Sequence, residues 1–150
     1  MQNMIESKEG EILIVEDNPD DLDMTLRALH QANLATSSIV ARDGVEALDL
    51  IFCEGACAGK RLETPHMVLL DLHLPRVDGL CVLKRMKSDE RTKAIPVIIM
   101  TSSKVQTDVT ESYHHGANCF LVKPVSFESF TAAVQQLGMD WLLPAPAPQV

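Results

Sequence analysis

The chain has 150 residues and a formal net charge of −8, which is the length of one domain with room for a buried core, and its acidity disfavours unaided binding to DNA or to an anionic membrane. Apolar residues make up 46% of it but aromatics only 4%, so aliphatic side chains must build the interior. No apolar run approaches the roughly 20 residues of a membrane helix, and the start, with Glu6, Lys8 and Glu9, lacks the apolar segment of a signal peptide, so the predicted location is cytoplasmic.

Residues 1–10 read as an N-terminal extension. The first strand-like run lies near 11–16, where Ile12-Leu13-Ile14-Val15 stops at Glu16-Asp17. Asn18-Pro19-Asp20-Asp21 then opens a helix with a cap, an early proline and acids in the first turn, and Leu22, Leu26 and Leu29 recur at helical spacing. A second run near 36–41 is followed by Asp43-Gly44 and a second helix with Val45, Leu48 and Phe52 inward. Glu54 to Thr64, with two glycines and Lys60-Arg61, reads as a surface loop. A third run near 66–71 stops at Asp71, and Asp78-Gly79 leads into a helix on which Leu80, Leu83 and Met86 line up.

The fourth run, near 95–100, stops at Thr101. A mostly polar helix is predicted from about Lys104 to His114, with Val105, Val109 and Tyr113 as its stripe. The pair His114-His115 near its end suits the negative end of the helix dipole better than a metal site. The fifth run, near 118–122, contains Phe120 and stops at Lys123-Pro124. Ser126 caps a final helix whose apolar face is Phe127, Phe130, Val134 and Leu137. Gly138 ends it, Trp141-Leu142-Leu143 follow, and the alternating prolines after them make 144–150 an extended tail.

Strand and helix thus alternate five times, and the strands are apolar throughout, as in a parallel sheet covered on both faces. Right-handed crossovers favour an α/β doubly wound, flavodoxin-like (βα)5 fold with strand order 2-1-3-4-5, although periodicity alone does not establish the order. Cys53, Cys57, Cys81 and Cys119 form no metal or redox pattern and read as reduced, small hydrophobes.

In a parallel sheet every strand's carboxyl end lies on one edge. Glu16, Asp17, Asp71, Thr101 and Lys123 each stand where an apolar run stops, so that edge gathers three carboxylates, a hydroxyl and an ammonium. Hard cations such as Mg²⁺ prefer oxygen ligands, and a shared cation relieves repulsion among crowded carboxylates. An Asp carboxylate can attack phosphorus, while a lysine and a hydroxyl hold the transferred oxygens. Taken singly the residues have plainer readings: Asp17 as a helix cap, Asp71 as a turn residue, Lys123 as a solvated lysine. Their common placement favours a cation and phosphoryl site.

From about Glu11 to Leu143 the chain resembles a response-regulator receiver domain. The match is carried by Ile14-Val15-Glu16-Asp17-Asn18, Val68-Leu69-Leu70-Asp71-Leu72, Leu74-Pro75-Arg76-Val77-Asp78-Gly79, Pro96-Val97-Ile98-Ile99-Met100-Thr101 and Lys123-Pro124. The resemblance implies that Asp71 accepts a phosphoryl group from a sensor histidine kinase with Mg²⁺. It implies metal contacts from Asp17, Asp71 and the main-chain carbonyl of His73, with Glu16 acting through water. Thr101 and Phe120 would be the switch pair and Lys123 the phosphate-contacting lysine. The chain departs from the pattern at His73, where many members have Asn, and at Phe120, where tyrosine is frequent.

A narrower resemblance rests on Thr101-Ser102-Ser103-Lys104, Ser112-Tyr113-His114-His115-Gly116-Ala117-Asn118, Phe127-Glu128-Ser129-Phe130 and Trp141-Leu142. These are similar to single-domain regulators paired with bacterial phytochromes. On this reading the protein is a switch and not an enzyme. With no second domain expected after the last helix, it acts by protein contact, by relay to a histidine phosphotransfer protein, or as a phosphate sink for its kinase. A homodimer is expected through the region from the Lys104–His114 helix to the C-terminus. A Mg²⁺-dependent phosphohydrolase resembling haloacid dehalogenases is the rival, but such enzymes usually carry a second Asp where His73 stands. An unphosphorylated interaction module is disfavoured because every motif residue is present.

Overall fold

The structure, a computed structural model, describes residues 12–32, 38–52, 65–102 and 111–138. Its strands are β1 (Ile12–Val15), β2 (Ser38–Ala41), β3 (Met67–Asp71), β4 (Val97–Thr101) and β5 (Cys119–Val122), and its helices are α1 (Pro19–Gln31), α2 (Gly44–Phe52), α3 (Gly79–Lys87) and α4 (Phe127–Gln136). The sheet is parallel in every pairing and runs β2-β1-β3-β4-β5, the doubly wound flavodoxin-like order expected from sequence. In register, Val15 faces Ala41 and Leu70, Asp71 faces Met100, and Thr101 faces Val122. The strands therefore stop together along one edge.

Side chains alternate across the sheet with period two. Ile12, Ile14, Leu69 and Ile98 point to one face and pack with Leu22 and Leu29 of α1 and Phe130 and Val134 of α4. Leu13, Val15, Val68, Leu70, Val97 and Ile99 point to the other and pack with Ala47 of α2 and Val82, Leu83 and Met86 of α3. Cover on both faces is why the strands carry no polar alternation.

Local chemistry sets the helix starts. Asn18 Oδ1 accepts from the backbone N–H of Asp20 at 2.9 Å and of Asp21 at 3.1 Å, so the cap of α1 is Asn18 and not Asp17. Ser126 and Ser129 close a reciprocal capping box at α4. Asp78 precedes α3 without capping it through its side chain. In α2, Phe52 is buried as expected, whereas Val45 and Leu48 are only half-buried and Ala47 fills the interior in their place. Phe52 lies under two cations, with the guanidinium carbons of Arg85 and Arg91 at 4.4 and 5.1 Å from its ring centre.

Residues 111–114 are helical, matching the end of the helix expected from Lys104, whereas Val105 and Val109 lie outside the described residues. So do the N-terminal extension, Cys53, Cys57, the Glu54–Thr64 loop, Trp141-Leu142-Leu143 and the tail at 144–150. Of the remaining thiols, both free, Cys119 is buried and Cys81 is exposed. No helix among the described residues is long and apolar enough to cross a membrane.

Candidate functional site

Glu16 follows the last residue of β1, where its N–H donates to Ala41 O at 3.0 Å and continues the ladder. Its side chain is fully buried, and Oε2 accepts from the N–H of Asn18 at 3.2 Å. Asp17, the next residue, is exposed. Asp71 ends β3 and is itself buried, with Oδ1 accepting from the N–H of His73 at 3.1 Å. The His73 side chain points to solvent. Among the described residues, one oxygen from each of Glu16, Asp17 and Asp71 lies within 4.8 Å of the others.

Lys123 reaches this group from the end of β5. Its N–H donates to Thr101 O at 2.8 Å, which ties the end of β5 to the end of β4. Its ammonium donates to Asp71 Oδ2 at 2.9 Å and to Asp21 Oδ2 at 3.0 Å. It also lies 2.6 Å from Glu16 Oε1, a close ion pair without hydrogen-bond alignment. Burial alone would lower the lysine, but the carboxylates of Glu16, Asp71 and Asp21 outweigh it and raise its pKa. Burial pushes the Glu16 carboxyl up to about 7, Lys123 pulls it back, and the neighbouring Asp71 adds to the rise.

The connection from β3 to α3 is tightly seated. A Cβ on Gly79 would stand 2.1 Å from Asp71 O, and one on Gly44 would stand 2.0 Å from Val77 O. Only glycine allows α3 to start against the backbone of Asp71 and α2 to start against the loop. Arg76 in that loop has φ +70°, a left-handed conformation uncommon outside glycine, and its guanidinium lies 3.3 Å from Asp43 Oδ2. On the opposite flank Thr101 is fully buried. Phe120 is half-buried, its ring centre 6.4 Å from that of Tyr113, and Tyr113 is exposed.

The residues expected from sequence therefore converge on one edge: Glu16, Asp17, Asp71, Thr101 and Lys123, with His73 and Phe120 beside them. Sequence reasoning missed Asp21 as a partner of Lys123, having read it only as a first-turn acid. Its one available signal was its position, four residues after Asp17. The donors suit a hard divalent cation: all are carboxylates, one oxygen of Glu16 lacks aligned hydrogen bonding, and burial leaves Glu16 reluctant to ionise unless further positive charge is supplied. With a buried aspartate beside an ammonium, the arrangement is fitted to phosphoryl chemistry.

Residues 12–135 match the response regulator receiver domain. This chain belongs to the response-regulator receiver family. Among curated relatives, the receiver is 40% identical over 132 residues to the probable methanogenesis regulatory protein FilR2 of Methanothrix harundinacea, covering 87% of this chain and 83% of that one. It is 33% identical over 131 residues to the response regulator Rcp1 of Synechocystis sp., covering 87% and 88%. Among solved structures, the bacteriophytochrome response regulator RtBRR superposes with a TM-score of 0.82 at 42% identity, covering 93% of the receiver and 84% of that chain. AtBRR, also a bacteriophytochrome response regulator, does so with a TM-score of 0.78 at 46% identity, covering 92% and 96%. Rcp1 is also known in a Mn²⁺-bound form, with a TM-score of 0.72 at 32% identity, covering 92% and 98%.

Proposed function

We propose that this receiver accepts a phosphoryl group on Asp71 from a sensor histidine kinase of the phytochrome type, in the cytoplasm. The observation that carries the reading is Asp71 itself, a buried carboxylate at a strand end with an ammonium 2.9 Å from one oxygen and two further acids beside it. A carboxylate oxygen of Asp71 attacks phosphorus, the bond from phosphorus to the donor histidine nitrogen breaks, and the freed imidazole takes up a proton. Lys123 meets the negative charge of the arriving group, and the Thr101 hydroxyl donates to one of its oxygens. Mg²⁺ is the proposed cofactor, held by Asp17, Asp71 and the main-chain carbonyl of His73, with Glu16 acting through water; when bound it offsets charge on the carboxylates and the phosphoryl oxygens. The Mn²⁺-bound form of Rcp1 supports a divalent ion in this family.

The protein is then a switch that assists its own phosphorylation and dephosphorylation, not an enzyme acting on outside substrates. Thr101 and Phe120 relay the phosphorylated state to the flank that carries Tyr113 and β5, where Val122 is also exposed. Output follows by protein contact, homodimerisation included, or by onward transfer to a histidine phosphotransfer protein. The test is mass spectrometry after treatment with acetyl phosphate and Mg²⁺. The wild type should gain about 80 Da, the mass of one phosphoryl group, and Asp71→Asn should gain nothing. Equal labelling of the two proteins would remove Asp71 from the role.

A further inference from the structure

The Lys123 ammonium has three acidic neighbours: it donates to Asp71 Oδ2 at 2.9 Å and to Asp21 Oδ2 at 3.0 Å, and Glu16 Oε1 lies 2.6 Å away as an ion pair without hydrogen-bond alignment. These acids differ in what else they do. Glu16 and Asp71 belong to the carboxylate group that would share a divalent cation, whereas Asp21 does not. Attraction of Glu16 and Asp71 to a cation therefore competes with their hold on Lys123, and the hold of Asp21 is free of that competition.

Asp21 also projects from a fixed mount. Its N–H donates to the Asn18 cap at 3.1 Å and its carbonyl accepts from the Thr25 hydroxyl at 3.0 Å, so the backbone is held on both sides. The Lys123 side chain is 8% exposed, so water is a poor substitute for a lost partner. Its flexible four-carbon stem would otherwise let the ammonium swing away. We infer that Asp21 is a positioning residue that keeps the Lys123 ammonium over Asp71 when a divalent cation draws on Glu16 and Asp71. This inference rests on the proposed role of Asp71.

The test uses the full chain with ¹⁵N-labelled lysine, the Lys123 ammonium resonance being assigned by its disappearance in Lys123→Ala. A held ammonium exchanges its protons slowly and remains visible. In the wild type the resonance should persist with and without saturating Mg²⁺. In Asp21→Asn, which keeps size and loses charge, it should persist without Mg²⁺ and vanish with it. Labelling of Asp71 by acetyl phosphate at saturating Mg²⁺ should slow by about tenfold, as expected when a charge-offsetting group loses its orientation. Asp20→Asn, which removes the neighbouring first-turn acid, should match the wild type in both readouts.

A resonance in Asp21→Asn that survives Mg²⁺, or one lost equally with and without it, overturns the inference. So does an Asp20→Asn variant that behaves like Asp21→Asn, because that would show a general charge effect at the helix start. If the wild type takes no label at Asp71, the proposed function fails instead, and the ammonium resonance still decides the role of Asp21.

Discussion

Glu16 is fully buried between an ammonium and a second carboxylate, and burial moves its titration from 4.5 up to about 7. Between those two values the folded protein keeps a proton that the unfolded chain has already released. Stability of the cation-free protein therefore falls, through this group, as pH rises from about 4.5 to 7. A divalent cation favours the ionised carboxylate, so its binding should expel the proton. Calorimetric titration of Mg²⁺ at pH 6, repeated in buffers of different ionisation enthalpy, should show release approaching about one proton, falling towards zero by about pH 8.5. The two acids ending the first apolar run should also separate. Asp17→Asn should weaken Mg²⁺ binding more than Glu16→Gln, because Asp17 is open to solvent and Glu16 is already engaged by Lys123; equal losses would reverse their assignment as inner and outer ligands.

The connection from β3 to α3 concentrates the constraints that join elements to the site. Gly79→Ala would press a methyl group against Asp71 O, a backbone atom that cannot rotate aside. It should cost about 1–3 kcal/mol by denaturant unfolding and slow acetyl phosphate labelling, since the displaced backbone belongs to Asp71. Gly138→Ala meets nothing within 4 Å, but its φ of +73° makes the substitution strained all the same. Contacts of the Gly79 kind are invisible in a sequence, because they depend on how closely two backbones approach. The ends of the strands were legible because Glu16, Asp71, Thr101 and Lys123 each interrupt an apolar run. Asp21 was not, because its contact with Lys123 spans 102 positions in sequence. Helix faces were read well where the side chains are large, as at Leu29, Leu83, Met86 and Phe130. They were read poorly at Ala28, Ala47 and Val82, whose small side chains leave a weak periodic signal. Val45 and Leu48 are half-buried because α2 packs beside β2, an edge strand, where the sheet offers less cover.

Across the whole molecule, Phe130 is committed to the interior and Phe127 packs partly against it, so neither forms a free apolar face for self-association. Among the described residues, Tyr113 at 48% and Val122 at 38% exposure are the large apolar side chains left open on the flank with β5. If that flank and the residues after Gly138 form the proposed homodimer, sedimentation at tens of micromolar should find the full chain dimeric and a chain ending at Gly138 monomeric. Two monomers would end the dimer proposal, and two equal dimers would exclude the tail as its cause. The strand order has a separate consequence. Because β1 sits between β2 and β3, a cut between α2 and β3 would leave Glu16, Asp17 and Asp21 on one piece and Asp71, Thr101 and Lys123 on the other. Neither half would hold a complete cation site, Lys123 would keep Asp71 but lose Glu16 and Asp21, and the cut would bare the β1 and β3 edges that pair with each other in the whole sheet. Fragment complementation at that cut would make cation binding itself the reporter that the two halves had met.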